Sequence, residues 1–535
     1  MEKEALKESG TDFVKLGLGL FFMVAVLAYS AISNGGIPNS MFLAVAALFG
    51  AYMAMNIGAN DVANNVGPAV GSKALTMTGA IIIAAIFEAS GAFIAGGDVV
   101  ETIKNGIINI SAFEGESDRF IWAMMAALLS AALWLNFATM AKAPVSTTHS
   151  IVGGVMGAGI AAAGLGVVAW GTMGSIVASW LISPLLGGII AAGFLYAIKI
   201  TMVFKEDKIS AAKIWVPIFV AIMSWAFVTY ITLKGLTKIW PSIVDVLVFL
   251  PDDKKPTFLV ASILGFVVAG IVYIIVKKTV SIRASKIENT REGVNLLFTV
   301  PLIFAAALLS FAHGANDVAN AVGPLAAIND AVINGGVSVK AGIPLWVMAV
   351  GAIGIAIGLA LYGPKLIRTV GSEITELDQM RAFSIAMAAS ITVIVASQLG
   401  LPVSSTHIAI GGVFGVGFLR EYLDHANLDN EICKDKVDII EDFRLKKILK
   451  EEREILEEKT NKTQEDYKRI VELFHLEDEE DARIKNAKKH LKNVEKVKHV
   501  KRDAVKKILA AWIITVPAAA TLSAVIYFMI RGMML

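Results

Sequence analysis

The chain has 535 residues, 56% of them hydrophobic, and a formal net charge of only +2. Mean hydropathy is +0.66, which is too apolar for a soluble protein of this size and predicts an integral protein of the lipid bilayer. The near-neutral balance gives no electrostatic ground for a nucleic-acid partner, and the single cysteine, Cys433, excludes an internal disulfide or a thiolate metal cluster.

A helix needs about 20 apolar residues to cross a ~30 Å hydrocarbon core. In chain order, twelve stretches qualify: 12–32, 40–58, 76–96, 119–141, 167–183, 185–204, 214–233, 257–277, 295–312, 343–362, 382–399 and 508–530. The first exceeds a signal-peptide core, has no small-residue cleavage site behind it, and reads as a retained span. Pro144–Gly166 and Pro402–Leu419 are apolar, short and glycine-rich. They read as re-entrant hairpins or broken helices, which sit at membrane depth only when buried in protein or lining a cavity. Tryptophans near span ends, Trp180 and Trp512 among them, read as interface anchors.

From Arg420 to about Lys507 the chain is dense in charge, with Leu445, Ile448, Leu449, Ile455, Tyr467, Ile470, Val471, Phe474 and Ile484 at helical spacing. This predicts a soluble insert of two or three amphipathic helices that pack on themselves. A docking face for a cytoplasmic regulator is the sharper alternative. The expected fold class is an all-α polytopic membrane protein of about twelve transmembrane helices, with two re-entrant or broken helix hairpins and this charged helical insert. The chain divides into an N-terminal tail and first span (1–39), a first transport repeat (40–204), connecting spans and loops (205–294), a second transport repeat (295–419), the insert (420–507) and a final span (508–535).

Lys and Arg in short loops set orientation. Lys199, Lys205, Lys208 and Lys213 mark one cytoplasmic loop, and Lys277, Lys278, Arg283, Lys286 and Arg291 another. The more acidic 98–119 loop fits the outside. A cytoplasmic insert then places the C-terminus outside, in a plasma (bacterial inner) membrane. A homo-oligomer is compatible with all of this.

Two motifs occur twice. Gly58-Ala59-Asn60-Asp61-Val62-Ala63-Asn64 returns letter for letter as Gly314-Ala315-Asn316-Asp317-Val318-Ala319-Asn320, each at the end of an expected span. Pro144-Val145-Ser146-Thr147-Thr148-His149 is matched by Pro402-Val403-Ser404-Ser405-Thr406-His407. The first pair is offset by 256 residues (58 to 314) and the second by 258 (144 to 402), so the chain contains an internal duplication. Duplicated halves with interrupted helices at matching places point to a secondary transporter, not an enzyme, with its site at the repeat interface.

The residue types suggest the cargo. Ser146, Thr147, Thr148, Ser404, Ser405 and Thr406 follow a proline that suits a helix start, where hydroxyls and free backbone N–H groups can cradle a tetrahedral anion; ordinary capping is the plainer reading. Asp61 and Asp317, with Asn60, Asn64, Asn316 and Asn320 on the same helical faces, supply hard oxygen ligands for Na⁺ or another hard cation, and Asp61 and Asp317 can also accept from a protonated anion. Glu88 lies mid-span and serves either as a third cation ligand or as a partner of helix-break backbone. His149 and His407 shuttle protons or brace the helix starts. No Arg or Lys lies in either motif; Lys142 before the first has Gly400 as its counterpart. Carboxylates repel a multivalent anion, so cations must enter with it.

These paired motifs resemble the inorganic phosphate transporter (PiT) family over roughly 40–420 and the final span. The resemblance implies about twelve spans, an inverted repeat and symport of inorganic phosphate with Na⁺ or H⁺. It implies phosphate near the six Ser/Thr residues and cations near Asn60, Asp61, Asn316 and Asp317. The carboxamide-rich motif favours Na⁺ as coupling ion, with no other cofactor. Proton coupling, a metal–phosphate cargo or another oxyanion such as sulfate are the alternatives within the class; a channel and a phosphate-ester enzyme are the rivals outside it. Relatives in the family often carry a soluble loop between the halves, whereas here the insert follows the second half, so nothing about it carries over.

Overall fold

The computed structural model describes residues 2–141, 145–237, 239–246, 253, 255–336, 342–373, 377–494 and 502–534. Lys142, Pro144 and the terminal Leu535 lie outside these. The described residues are helical, and the only strand pairing among them is an isolated antiparallel bridge between Ile108 and Val168. They fall into two units: a membrane unit of residues up to Val416 and from Arg502 on, and a second unit, Gly417–Lys501.

Eleven described helices are long and apolar enough to cross a bilayer. This is one fewer than the sequence suggests, because 167–183 and 185–204 form one helix, Trp170–Ile198, continued by a π-helical turn, Lys199–Val203. Pro184 suggested a break. Inside the helix it removes a single N–H, a loss that a packed membrane helix tolerates. Gly187 and Gly188 beside it lie against Ile408 and Gly411 of the helix that begins at Ser405.

The Asn-Asp motifs do not end the crossing stretches that carry them. The first lies within a 32-residue apolar stretch, Ser40–Gly71, interrupted only at Asp61. The second lies inside an unbroken 35-residue helix, Thr299–Ile333, buried nearly throughout. A helix apolar on every side belongs in a core. The two Ser/Thr motifs start helices in the interior: Thr147–Ala163 is capped by Ser146, and the second begins at Ser405. Ser146 and Ser404 are both buried.

Glycines interleave the two halves. Gly58 faces the backbone of Ile355 and Gly358 that of Met55, so the first motif helix packs on the second half's helix Leu345–Glu373. In the mirror arrangement, Gly314 faces Glu88 and Gly91 faces Phe311, so the second motif helix packs on Met77–Ala95 of the first half. Crossing helices alternate in direction, and Thr147–Ala163 returns to the face where Asn109 N–H donates to Val167 O at 2.7 Å. Ser40–Gly71 and Thr299–Ile333 therefore enter from opposite faces, and the repeat is inverted.

In the second unit, the helix ending at Glu458 and the helix Gln464–Val494 form a hairpin around Leu449, Ile470, Leu473 and Ile484. Arg453–Glu477 (2.7 Å), Lys446–Asp481 (2.5 Å) and Arg469–Glu452 (3.0 Å) tie the helices together. Thr463 and Asp466 cap each other reciprocally: Asp466 N–H donates to Thr463 Oγ1 (3.2 Å) and Thr463 N–H to Asp466 Oδ2 (2.7 Å). The Lys459 ammonium bonded to Asp466 holds its carboxyl down at about 2. Leu445, Ile448, Ile455, Tyr467, Val471 and Phe474 of the expected apolar set remain exposed.

Two outcomes follow. Gly58→Val or Gly314→Val forces a side chain into facing backbone at a cost of about 1–3 kcal/mol or more and lowers the melting temperature in detergent, whereas Gly193→Ala, in open space, does not. Asp466→Ala removes the cap, and limited trypsin digestion then nicks the chain at Lys459 or Lys462 faster than in the parent.

Candidate functional site

The inverted repeat brings four segments to one buried point. Asp61 Oδ2 accepts from Thr147 Oγ1 at 2.6 Å, and Asp317 Oδ2 from Ser405 Oγ at 3.1 Å, so the same bond is made within each half. Other bonds cross between halves. Asn64 Nδ2 donates to Thr406 Oγ1 (2.9 Å), and Asn320 Nδ2 to Thr148 Oγ1 (3.2 Å) and Thr147 Oγ1 (3.1 Å). Thr406 Oγ1 also donates to Asp61 Oδ1 at 3.1 Å. All of these residues are buried.

The outer members of the motif anchor it. Asn60 Nδ2 donates to Thr139 Oγ1 (2.7 Å), and Asn316 Nδ2 to Ser397 Oγ (3.0 Å) and Leu401 O (3.2 Å). Ser146 and Ser404 accept from His149 N–H (3.1 Å) and His407 N–H (3.3 Å), so their oxygens cap the half-helices. His149 and His407 meet edge to face with ring centroids 4.5 Å apart; Trp180 lies 3.8 Å from His149, and Trp512 stacks on His407 at 3.6 Å. Trp180 and Trp512 are thus interior braces, not interface anchors, because the half-helices need aromatic bulk where their first turns converge.

Glu88 sits away from the hydroxyl cluster. Its Oε2 is 2.6 Å from His313 Nδ1, and its Oε1 accepts from Asn65 Nδ2 at 2.8 Å. His313 Nε2 is in turn 2.7 Å from Asp317 Oδ2. Asp61, His313 and Asp317 each offer a ligand atom within 4.8 Å of the others. The sequence reading missed His313 and Asn65. The signal was that the two copies differ there: the residue before the motif is Ile57 in one and His313 in the other, and the residue after it is Asn65 in one and Ala321 in the other.

Chemically the site is rich in acceptors. Oδ1 of Asn65, Asn316, Asp317 and Asn320 are buried without a donor. Buried oxygens left without donors carry a desolvation cost that a hard cation would relieve. Within the two motifs, the donors that face the carboxylates are hydroxyls, and the first-turn amides of the half-helices add a positive dipole end.

A profile of the Phosphate transporter family matches residues 57–523. The chain belongs to the phosphate transporter family. A Helicobacter pylori protein provisionally named a phosphate permease is 48% identical over 98% of this chain and 96% of its own length. A Pyrococcus abyssi protein with the same provisional name is 39% identical over 71% of this chain and 89% of its own. A solved structure of a protein described as the sodium-dependent phosphate transporter superposes with a TM-score of 0.70 at 28% identity, covering 92% of this chain and 99% of that one. This member of the family is a multi-pass membrane transporter of phosphate rather than an enzyme.

His313→Leu removes the imidazole that lies between buried Glu88 and Asp317 and costs about 3–5 kcal/mol of stability, while Glu88→Leu added to it restores part of the loss. Thermal unfolding in detergent distinguishes the two.

Proposed function

We propose that the protein imports inorganic phosphate by symport with Na⁺, at the buried cluster of Asp61, Asp317, Thr147, Thr148, Ser405 and Thr406. The observation that carries the reading is where the hydroxyl protons go. Thr147, Ser405 and Thr406 donate to Asp61 or Asp317. A hydroxyl has one proton, so it serves a carboxylate or an anion but not both. Na⁺ held by Asp61 and Asp317, with the amide oxygens of Asn60, Asn64, Asn316 and Asn320 nearby, neutralises the carboxylates and releases those protons to phosphate. The first-turn N–H groups of the two half-helices complete the cradle. Ser146 and Ser404 then act through the helix starts they cap. Glu88 holds His313 and stands behind the cation ligands.

Coupling follows from this competition. Without the cation, phosphate meets two carboxylates that already take the hydroxyl hydrogen bonds of Thr147, Ser405 and Thr406. Without phosphate, the hydroxyl protons stay hydrogen-bonded to the carboxylates and compete with the cation for their oxygens. Alternating access is rocking of the interleaved halves about this fixed point. The sodium dependence of the structurally similar transporter supports Na⁺, as do the four orphan oxygens. The second reading is proton coupling, favoured by the Glu88–His313–Asp317 chain, in which an imidazole sits between two carboxylates. The basic loops at 199–213 and 277–291 support a cytoplasmic insert and an outer C-terminus in the plasma membrane.

The test is uptake of radiolabelled phosphate into proteoliposomes with a Na⁺ gradient, a proton gradient or neither. Na⁺ alone should drive accumulation, and Asp61→Asn and Asp317→Asn should each abolish the Na⁺ dependence. Thr147→Val and Thr406→Val each remove one donor and raise KM by about tenfold, on the scale of one buried hydrogen bond. Na⁺-driven uptake that survives in both Asn variants would sink the reading.

A further inference from the structure

A short segment packs against the helix Thr299–Ile333 beside the site. The helix Gly97–Glu101 changes into a π-helical turn, Thr102–Gly106, within one run of chain. Such turns recur at functional sites, because they sacrifice regular hydrogen bonding to re-aim side chains. Lys104 on this turn is the only lysine or arginine buried among the described residues. Its ammonium pairs with Asp330, which is also buried and lies on the same helix as Asp317 and Asn320.

Two more tethers hold the segment. Thr102 Oγ1 donates to Gly400 O at 2.6 Å, in the loop that leads to Ser404 and Ser405. Asp98 pairs with Lys234 at the end of the helix Lys208–Gly235. Ile103 sits over Gly323, one turn past Asn320. The segment therefore touches both second-half elements that build the site, on the face opposite the basic loops.

We propose that Gly97–Gly106 is the gate that closes the phosphate site on this face, and that Lys104 and Asp330 are its latch. The inference rests on the site reading above and adds a residue pair to it. A buried ion pair adds little net stability compared with apolar packing, so a permanent strut has no need of one. A latch does. When the segment swings out and water enters, both charges are hydrated at once, so the pair separates at a far lower cost than a dry apolar plug exposed to water. The closed state stays dry because the pair is satisfied in place.

The experiment uses the full chain in a Cys433→Ser background, with Lys104→Cys and Asp330→Cys, in phosphate-transporting proteoliposomes. A short, membrane-impermeant bis-methanethiosulfonate is added on the side of this face, and linkage is verified by mass spectrometry. Linked protein loses phosphate uptake by about tenfold or more and regains it on reduction with dithiothreitol. Undiminished uptake by linked protein overturns the proposal. So does failure of the two cysteines to react during transport, since a gate must expose its latch. Should the cysteine pair itself not transport, a charge swap decides: Lys104→Asp and Asp330→Lys singly cut uptake, and together restore it to within about threefold of the parent if the pair acts as a unit. A swap that restores nothing overturns the proposal. A Cys433→Ser parent that takes up no phosphate counts instead against the site reading.

Discussion

Two carboxylates buried at the meeting point of an inverted repeat set the terms for the rest of the membrane unit. Asp61 and Asp317 are surrounded by hydroxyls, amides and one imidazole, with no lysine or arginine among the partners described for them. Ionised carboxylates in such a place are costly, and each donor they have is one that an incoming anion would also want. On the proposed reading, that competition for protons is what lets the site exchange partners. The first hydroxyl oxygen of each Ser/Thr motif, on Ser146 or Ser404, accepts a first-turn N–H instead, because a half-helix that begins in the interior must satisfy its own first turn.

The interleaving of the halves follows from glycine. Gly58, Gly91, Gly314 and Gly358 let helices meet backbone to backbone, which is how association proceeds in a bilayer that offers no hydrophobic drive between helices. Because each motif helix packs on a helix of the other half, neither half closes a site alone. Cross-repeat bonds such as Asn64–Thr406 and Asn320–Thr148 are the polar consequence of that apolar packing.

Charge is segregated by medium. Outside the bilayer, the hairpin of the second unit spends Arg and Lys freely on exposed pairs, each worth little by itself and useful mainly as a network with Arg453 over Phe474. Inside, two buried pairs stand out among the described residues: Glu88 with His313 and Lys104 with Asp330. A charged side chain at membrane depth has no water to fall back on, which is why these groups are paired.

Class, duplication and the residue types of the candidate site were all legible in the sequence. Hydropathy of this strength has only a membrane solution, and letter-for-letter return of Gly-Ala-Asn-Asp-Val-Ala-Asn at nearly the same offset as the second motif has only a duplication behind it. Tertiary structure decided the rest. That Pro184 sits inside one helix, that the Asn-Asp motifs lie within their crossing stretches, and that Trp180 and Trp512 pack on the buried histidines all depend on what packs alongside, which no local pattern records. His313 and Glu88 are 225 residues apart and meet only because the halves interleave. Hydrophobic periodicity reports the medium around a segment; it does not report which segment of the other half lies against it, and in this protein that pairing makes the site.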